Sequence, residues 1–118
     1  MSGKDRQVLE KIIAHIERIL KYCHGFESLE DFEKNELSVD GCVFNLMQIG
    51  ELAKVGLSDD VKRQIKTVSW KQLYGMRNRI THDYSGINMK IVWDTMREDL
   101  PVLMTELKTF LKETKENE

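Results

Sequence analysis

The sequence predicts an all-α domain. Apolar residues recur at intervals of three and four along most of the chain, the spacing of helical faces rather than strands. One proline and seven glycines in 118 residues leave little material for turns. Ser and Asn residues stand where several of those apolar runs begin, the positions that cap helix N-termini. A chain of this length is most simply one domain, spanning 1–118.

Val8, Leu9, Ile12, Ile13, Ile16, Ile19 and Leu20 draw an apolar stripe along a first helix from about Asp5 to Tyr22. His15 lies beside that stripe and reads as a structural or solvated side chain. His24-Gly25 ends the helix, with glycine free to take the left-handed cap conformation. Ser28 then opens a short helix through about Lys34. A third helix runs from about Ser38 to Val55. Val39, Val43, Phe44, Leu46, Met47, Ile49, Leu52, Ala53 and Val55 make it apolar around much of its circumference, which implies burial on more than one side. Gly50 within it costs about 1 kcal/mol relative to alanine, a loss that close helix approach would offset. Glu51 reads as a solvated or capping carboxylate.

Gly56 closes this helix and Ser58 caps a short helical piece. Ser69 and Gln72 form a capping box for the next main helix, Trp70 to about His82. Its Leu73, Met76 and Ile80 face the core, with Tyr74 beside them. Asn88 caps a last helix reaching about Lys112, in which Pro101 should produce a kink near Arg97–Leu100. The charged tail 112–118 is expected to fray. Four main helices with short connections and one minor helix suggest a bundle.

Net charge is -2, which argues against non-specific coating of nucleic acid, so any such contact must come from a local patch. One exists. From Val61 to His82 the chain carries Lys62, Arg63, Lys66, Lys71, Arg77 and Arg79 and no acidic residue. Cys23 and Cys42 could form at most one disulfide and lack paired metal-ligand spacing, so they read as reduced packing residues and no metal site is expected. No signal-like or membrane-length apolar run is present, and the expected location is the cytosol with no membrane contact. Phosphate loops, the Glu-x-x-His pair of di-iron bundles and a credible Ser-His-Asp set are all missing.

The chemistry-bearing stretch is Arg77 to Tyr84. Arginine offers a permanent bidentate partner for phosphate oxygens, and histidine can exchange a proton near neutral pH. A basic helix end with a dipole-complementing histidine is the simpler account of the same residues. At 100° per residue, Arg77 and His82 stand about 140° apart around the helix, whereas Asn78 and His82 are neighbours on one face. Within one ideal helix the arginine and histidine therefore do not converge unless the long guanidinium arm bends round or a second molecule supplies one of them.

Arg77-Asn78-x-x-x-His82-x-Tyr84 resembles the R-x4-H-x-Y motif of HepT-like toxins in the HEPN superfamily. Ile49-Gly50-Glu51-Leu52-Ala53-Lys54, Trp70, Val92-Trp93 and Leu100-Pro101 fit the same pattern in the same order, so the resemblance covers about Val39 to Leu103. It implies a HEPN-type helical bundle forming a homodimer, and the toxin of a type VII-like toxin-antitoxin pair. The implied activity is metal-independent, cofactor-free endoribonuclease cleavage of an RNA substrate to a 2′,3′-cyclic phosphate. Carried over residue by residue, Arg77 and His82 are the catalytic pair and Asn78 their polar companion. Tyr84 is the residue AMPylated by a minimal nucleotidyltransferase (MNT) antitoxin. Lys62, Arg63, Lys66, Lys71 and Arg79 would line the RNA path. Two other classes fit the residues alone. One is a non-catalytic or nucleotide-binding partner of such a nucleotidyltransferase, and the other is a purely structural helical bundle.

Overall fold

The computed structural model describes residues 1–117 and is helical almost throughout. Seven α-helices follow one another: α1 (Gly3–Cys23), α2 (Leu29–Glu33), α3 (Glu36–Glu51), α4 (Asp59–Gln64), α5 (Trp70–His82), α6 (Met89–Asp94) and α7 (Leu100–Asn117). A π-helical turn, Leu52–Gly56, extends α3, and a second, Thr95–Asp99, joins α6 to α7. The expected all-α bundle is what forms.

Local chemistry accounts for the helix starts. Ser2, Ser28, Asn35, Ser58, Ser69 and Asn88 each accept a backbone N–H of the first turn that has no partner within its helix. Asn35 moves the start of α3 to Glu36, two residues ahead of the expected one. Gly25 follows α1 at φ 94°, the left-handed conformation that releases the chain.

The core is one layer of side chains shared by α1, α3 and the α6–α7 arm. Leu9, Ile12, Ile16 and Ile19 meet Cys42, Val43, Leu46 and Ile49, with Val92, Met96, Leu100 and Leu107 closing the far side. His15 is structural, its Nδ1 2.7 Å from Oδ1 of the buried Asn45. The carboxylate of buried Asp5 accepts from the Ser58 amide and hydroxyl, each at 2.9 Å, and ties α1 to the start of α4. Burial alone would raise the Asp5 carboxyl, but the Ser58 and Ser2 donors outweigh it and hold the pKa below the usual range. Cys23 and Cys42 are free and buried, and desolvation pushes the Cys42 thiol up to about 12. Both behave as packing residues.

Pro101 acts where expected but by a specific route. It has no N–H for the Arg97 carbonyl, and the helix answers by widening into the π turn, where the Leu100 N–H bonds back to the Thr95 carbonyl. Ile91 in this arm is 41% exposed. Helical backbone continues past Lys112 to Asn117, over most of the tail expected to fray, and Glu118 lies outside the described residues. No helix of the described residues is long and apolar enough to cross a membrane.

Candidate active site

Helix α5 is held on α3 at a glycine. A β-carbon added at Gly50 would stand 2.5 Å from Cβ of Arg77 and 2.7 Å from the Leu73 carbonyl oxygen. The two backbones are therefore closer than any side chain at this position would allow, the compensation expected for a glycine inside a helix. The next residue of α3 uses that proximity. Glu51 Oε2 accepts a 2.7 Å hydrogen bond from Nε of Arg77, the two side chains 39% and 26% exposed respectively. The solvated or capping role expected of Glu51 is thus corrected: it is the ion-pair partner of the motif arginine. Sequence spacing hides this because the two residues are 26 positions apart.

Arg77 spends a second donor on its neighbour, Nη1 reaching Asn78 Oδ1 at 2.9 Å. The guanidinium is pinned at two points, leaving its Nη2 edge for another acceptor. Asn78 then faces the other way as well, lining with His82 a cavity of about 510 Å³ bounded by Arg79, Asp83, Asn88 and Ile91. No hydrogen bond among the described residues joins Arg77 to His82. Arg77 turns toward α3, His82 toward the open side of α5, and Asn78 touches both environments. This is the separation that the helical angle implied.

Tyr84 lies just past the end of α5, about half exposed, and its phenol donates a short hydrogen bond to Oδ1 of Asp40 on α3. That bond, with desolvation and the charge of Asp40, raises the phenol pKa to about 12. Asp40 carried no signal in the sequence, since it sits 44 positions from its partner.

The basic run divides in space. Lys62 is occupied, its Nζ donating to the Lys54 carbonyl at 3.2 Å and lying 5.1 Å from the Tyr74 ring centroid. With the Tyr74 hydroxyl on the Ala53 carbonyl, it satisfies backbone oxygens of the first π turn. Arg63 stands 3.7 Å from Asp60 in an exposed pair. Lys66 is exposed. Lys71 and Arg79 line a second cleft of about 660 Å³ between α5 and the α6–α7 arm, with Glu98, Asp99 and Glu106 across it. The run is free of acid along the chain but not in space. Among the described residues no group of three His, Cys, Asp or Glu side chains could hold a metal ion.

The profile of the "Ribonuclease HepT-like" family matches residues 12–111. The chain belongs to the HepT-like ribonuclease family. This HepT-like chain is accordingly an RNase of the HEPN type and an endoribonuclease. It is 33% identical to "Putative RNase TTE0752" of Caldanaerobacter subterraneus subsp. tengcongensis over 110 residues, 93% of this chain and 96% of that one. It is 29% identical to "Probable ribonuclease HepT" of Thermococcus cleftensis, covering 87% of this chain and 92% of the relative. "Putative RNase MJ0125" of Methanocaldococcus jannaschii is 25% identical over 92% and 91% of the two chains. No solved structure matches the chain.

Proposed function

We propose that the RNase cleaves RNA without a metal, using Arg77 and His82 as the catalytic pair, and that it is the toxin of a pair with an MNT antitoxin. The observation that carries this reading is the arrangement of Arg77, pinned by Glu51 and Asn78 with a donor edge left over, one residue from the Asn78–His82 cavity. His82 takes the proton of a ribose 2′-OH as that oxygen attacks the adjacent phosphorus, and the bond to the 5′-oxygen breaks. Arg77 stabilises charge growing on the non-bridging oxygens. The products are a 2′,3′-cyclic phosphate and, once the leaving oxygen is protonated, a 5′-OH. Asn78 fixes the guanidinium and offers its amide to the same cavity.

In-line attack puts the entering 2′-oxygen and the leaving 5′-oxygen on opposite sides of phosphorus, where one histidine does not reach both, and Arg77 and His82 point away from each other in one chain. A two-fold dimer answers both problems by bringing two Arg77–His82 sets to one cleft. Leu37, Phe44 and Val55 leave apolar surface on the outer side of α3 and its π turn, at 85%, 53% and 65% exposure, which supports assembly. Lys66, Lys71 and Arg79 are the cations that line the RNA path, with Arg63 at its edge and Lys62 kept largely for structure. Tyr84, half exposed beside the motif, is the AMPylation acceptor. An AMP there adds an anion at the RNA entrance and silences the toxin in the cytoplasm.

The test is cleavage of RNA by pure protein in EDTA. Wild type should yield cyclic-phosphate and 5′-OH ends, and His82→Ala and Arg77→Ala should lose about 100-fold or more in rate, the usual contribution of such groups. Retained cleavage in His82→Ala would remove the catalytic assignment. RNA bound but uncut by wild type would favour a binding subunit instead.

A further inference from the structure

Tyr84 does not project as a free phenol. Its O–H is bound to the Asp40 carboxylate, supplied by a different helix, and about half of the tyrosine is open to solvent. Asp40 is itself exposed, on the outer side of α3, and makes no ion pair among the described residues that would draw its charge elsewhere. A nucleophile and a carboxylate base already in hydrogen-bond contact, on an accessible surface, is the arrangement that activates a hydroxyl for transfer. A neutral phenol is a weak nucleophile toward phosphorus unless something takes its proton as the new bond forms. The carboxylate that accepts a substrate hydroxyl proton in phosphoryl transfer ordinarily belongs to the transferring enzyme. Here one stands on the acceptor.

We propose that Asp40 is the general base for nucleotidylation of Tyr84, so that the RNase brings part of the chemistry of its own inhibition; this rests on Tyr84 being the acceptor. Tyr84 Oη attacks the α-phosphorus of a magnesium-bound nucleoside triphosphate held by the nucleotidyltransferase. The Oη–P bond forms, the bond from the α-phosphorus to the bridging oxygen breaks and pyrophosphate leaves. The phenolic proton passes to Asp40 and then to water. No oxidant or reductant is involved. Once Oη carries phosphorus it has no hydrogen to donate, and the new phosphodiester anion is repelled by Asp40. The modified side chain cannot return to its original contact.

The experiment follows incorporation of label from α-phosphate-labelled ATP with the cognate MNT protein. Wild type, Asp40→Asn, Asp40→Glu and Tyr84→Phe are compared, and the modified residue is located by peptide mass. Asparagine keeps the shape and an acceptor oxygen but cannot hold the proton. The expected result is kcat for labelling down about 100-fold in Asp40→Asn, KM for the RNase little changed and partial recovery in Asp40→Glu. A residue serving only to dock the transferase would raise KM instead, and that outcome overturns the proposal. Equal labelling of wild type and Asp40→Asn at Tyr84 also overturns it while leaving Tyr84 as the acceptor. No label on wild type, or undiminished label on Tyr84→Phe, removes the acceptor reading and the role of Asp40 with it.

Discussion

Two carboxylates on α3 define what the motif residues can do. Glu51 takes Nε of Arg77 and Asp40 takes the phenol of Tyr84, so α3 sets the orientation of both ends of the motif. Because the Arg77–Glu51 pair is partly exposed, it contributes little net stability. Its consequence is geometric, since it draws the Nε side of the guanidinium toward α3. The Tyr84 contact has a titration signature. A phenol whose folded pKa is raised to about 12 keeps its proton longer than a free tyrosine with a value near 10. The contact therefore adds stability at any pH below about 10, and that contribution fades as pH rises toward 12. Asp40→Asn should bring one of the three tyrosine midpoints down toward the ordinary value, read as phenolate absorbance during alkaline titration of the folded protein. Identical curves for the two proteins would show that the bond is not made in solution.

Among the elements, the α3–α5 contact matters most for the site. It rests on Gly50, where a methyl group would meet a carbonyl oxygen that cannot step aside without moving α5. Gly50→Ala should destabilise the fold by about 1–3 kcal/mol, measured by urea unfolding. RNA cleavage should fall in the fraction that remains folded, because Glu51 no longer meets Arg77 squarely. Unchanged stability and cleavage would contradict a role for the close approach. The same contact shows what the sequence could and could not disclose. Ser28, Ser58, Ser69 and Asn88 were readable as caps because a cap bonds within its own first turn. Gly50 was readable as a close approach because a helical glycine needs a reason. The partner across the contact was not, since Arg77 lies 26 residues from Glu51 and either could have faced water. The π turn at Leu52–Gly56 has no local signature comparable to Pro101, and the surroundings of Lys62 depend on that turn. Acid-free composition along Val61–His82 likewise says nothing of Glu98, Asp99 and Glu106, which reach the cleft from the next arm.

The whole molecule measures 47 × 29 × 20 Å, an elongated bundle whose α1–α3–α7 core holds α5 on one face. That arrangement leaves the His82 side of α5 open and parts of α3 apolar and exposed. A single chain thus presents an arginine pinned to one side, a histidine on another, and only Asn78 in touch with both; under the proposed dimer this is half of a site. The proposed function therefore requires two chains at each cleft. Subunit mixing tests this most directly, with wild type and His82→Ala equilibrated in varied ratio at constant total protein and the RNA cleavage rate measured in EDTA. If each cleft needs His82 from both chains, the rate follows the square of the wild-type fraction, falling to about a quarter at equal mixing in a two-fold dimer. A rate that falls only in proportion to wild type, to about half at equal mixing, would contradict it, since each cleft would then work with the histidine of one chain.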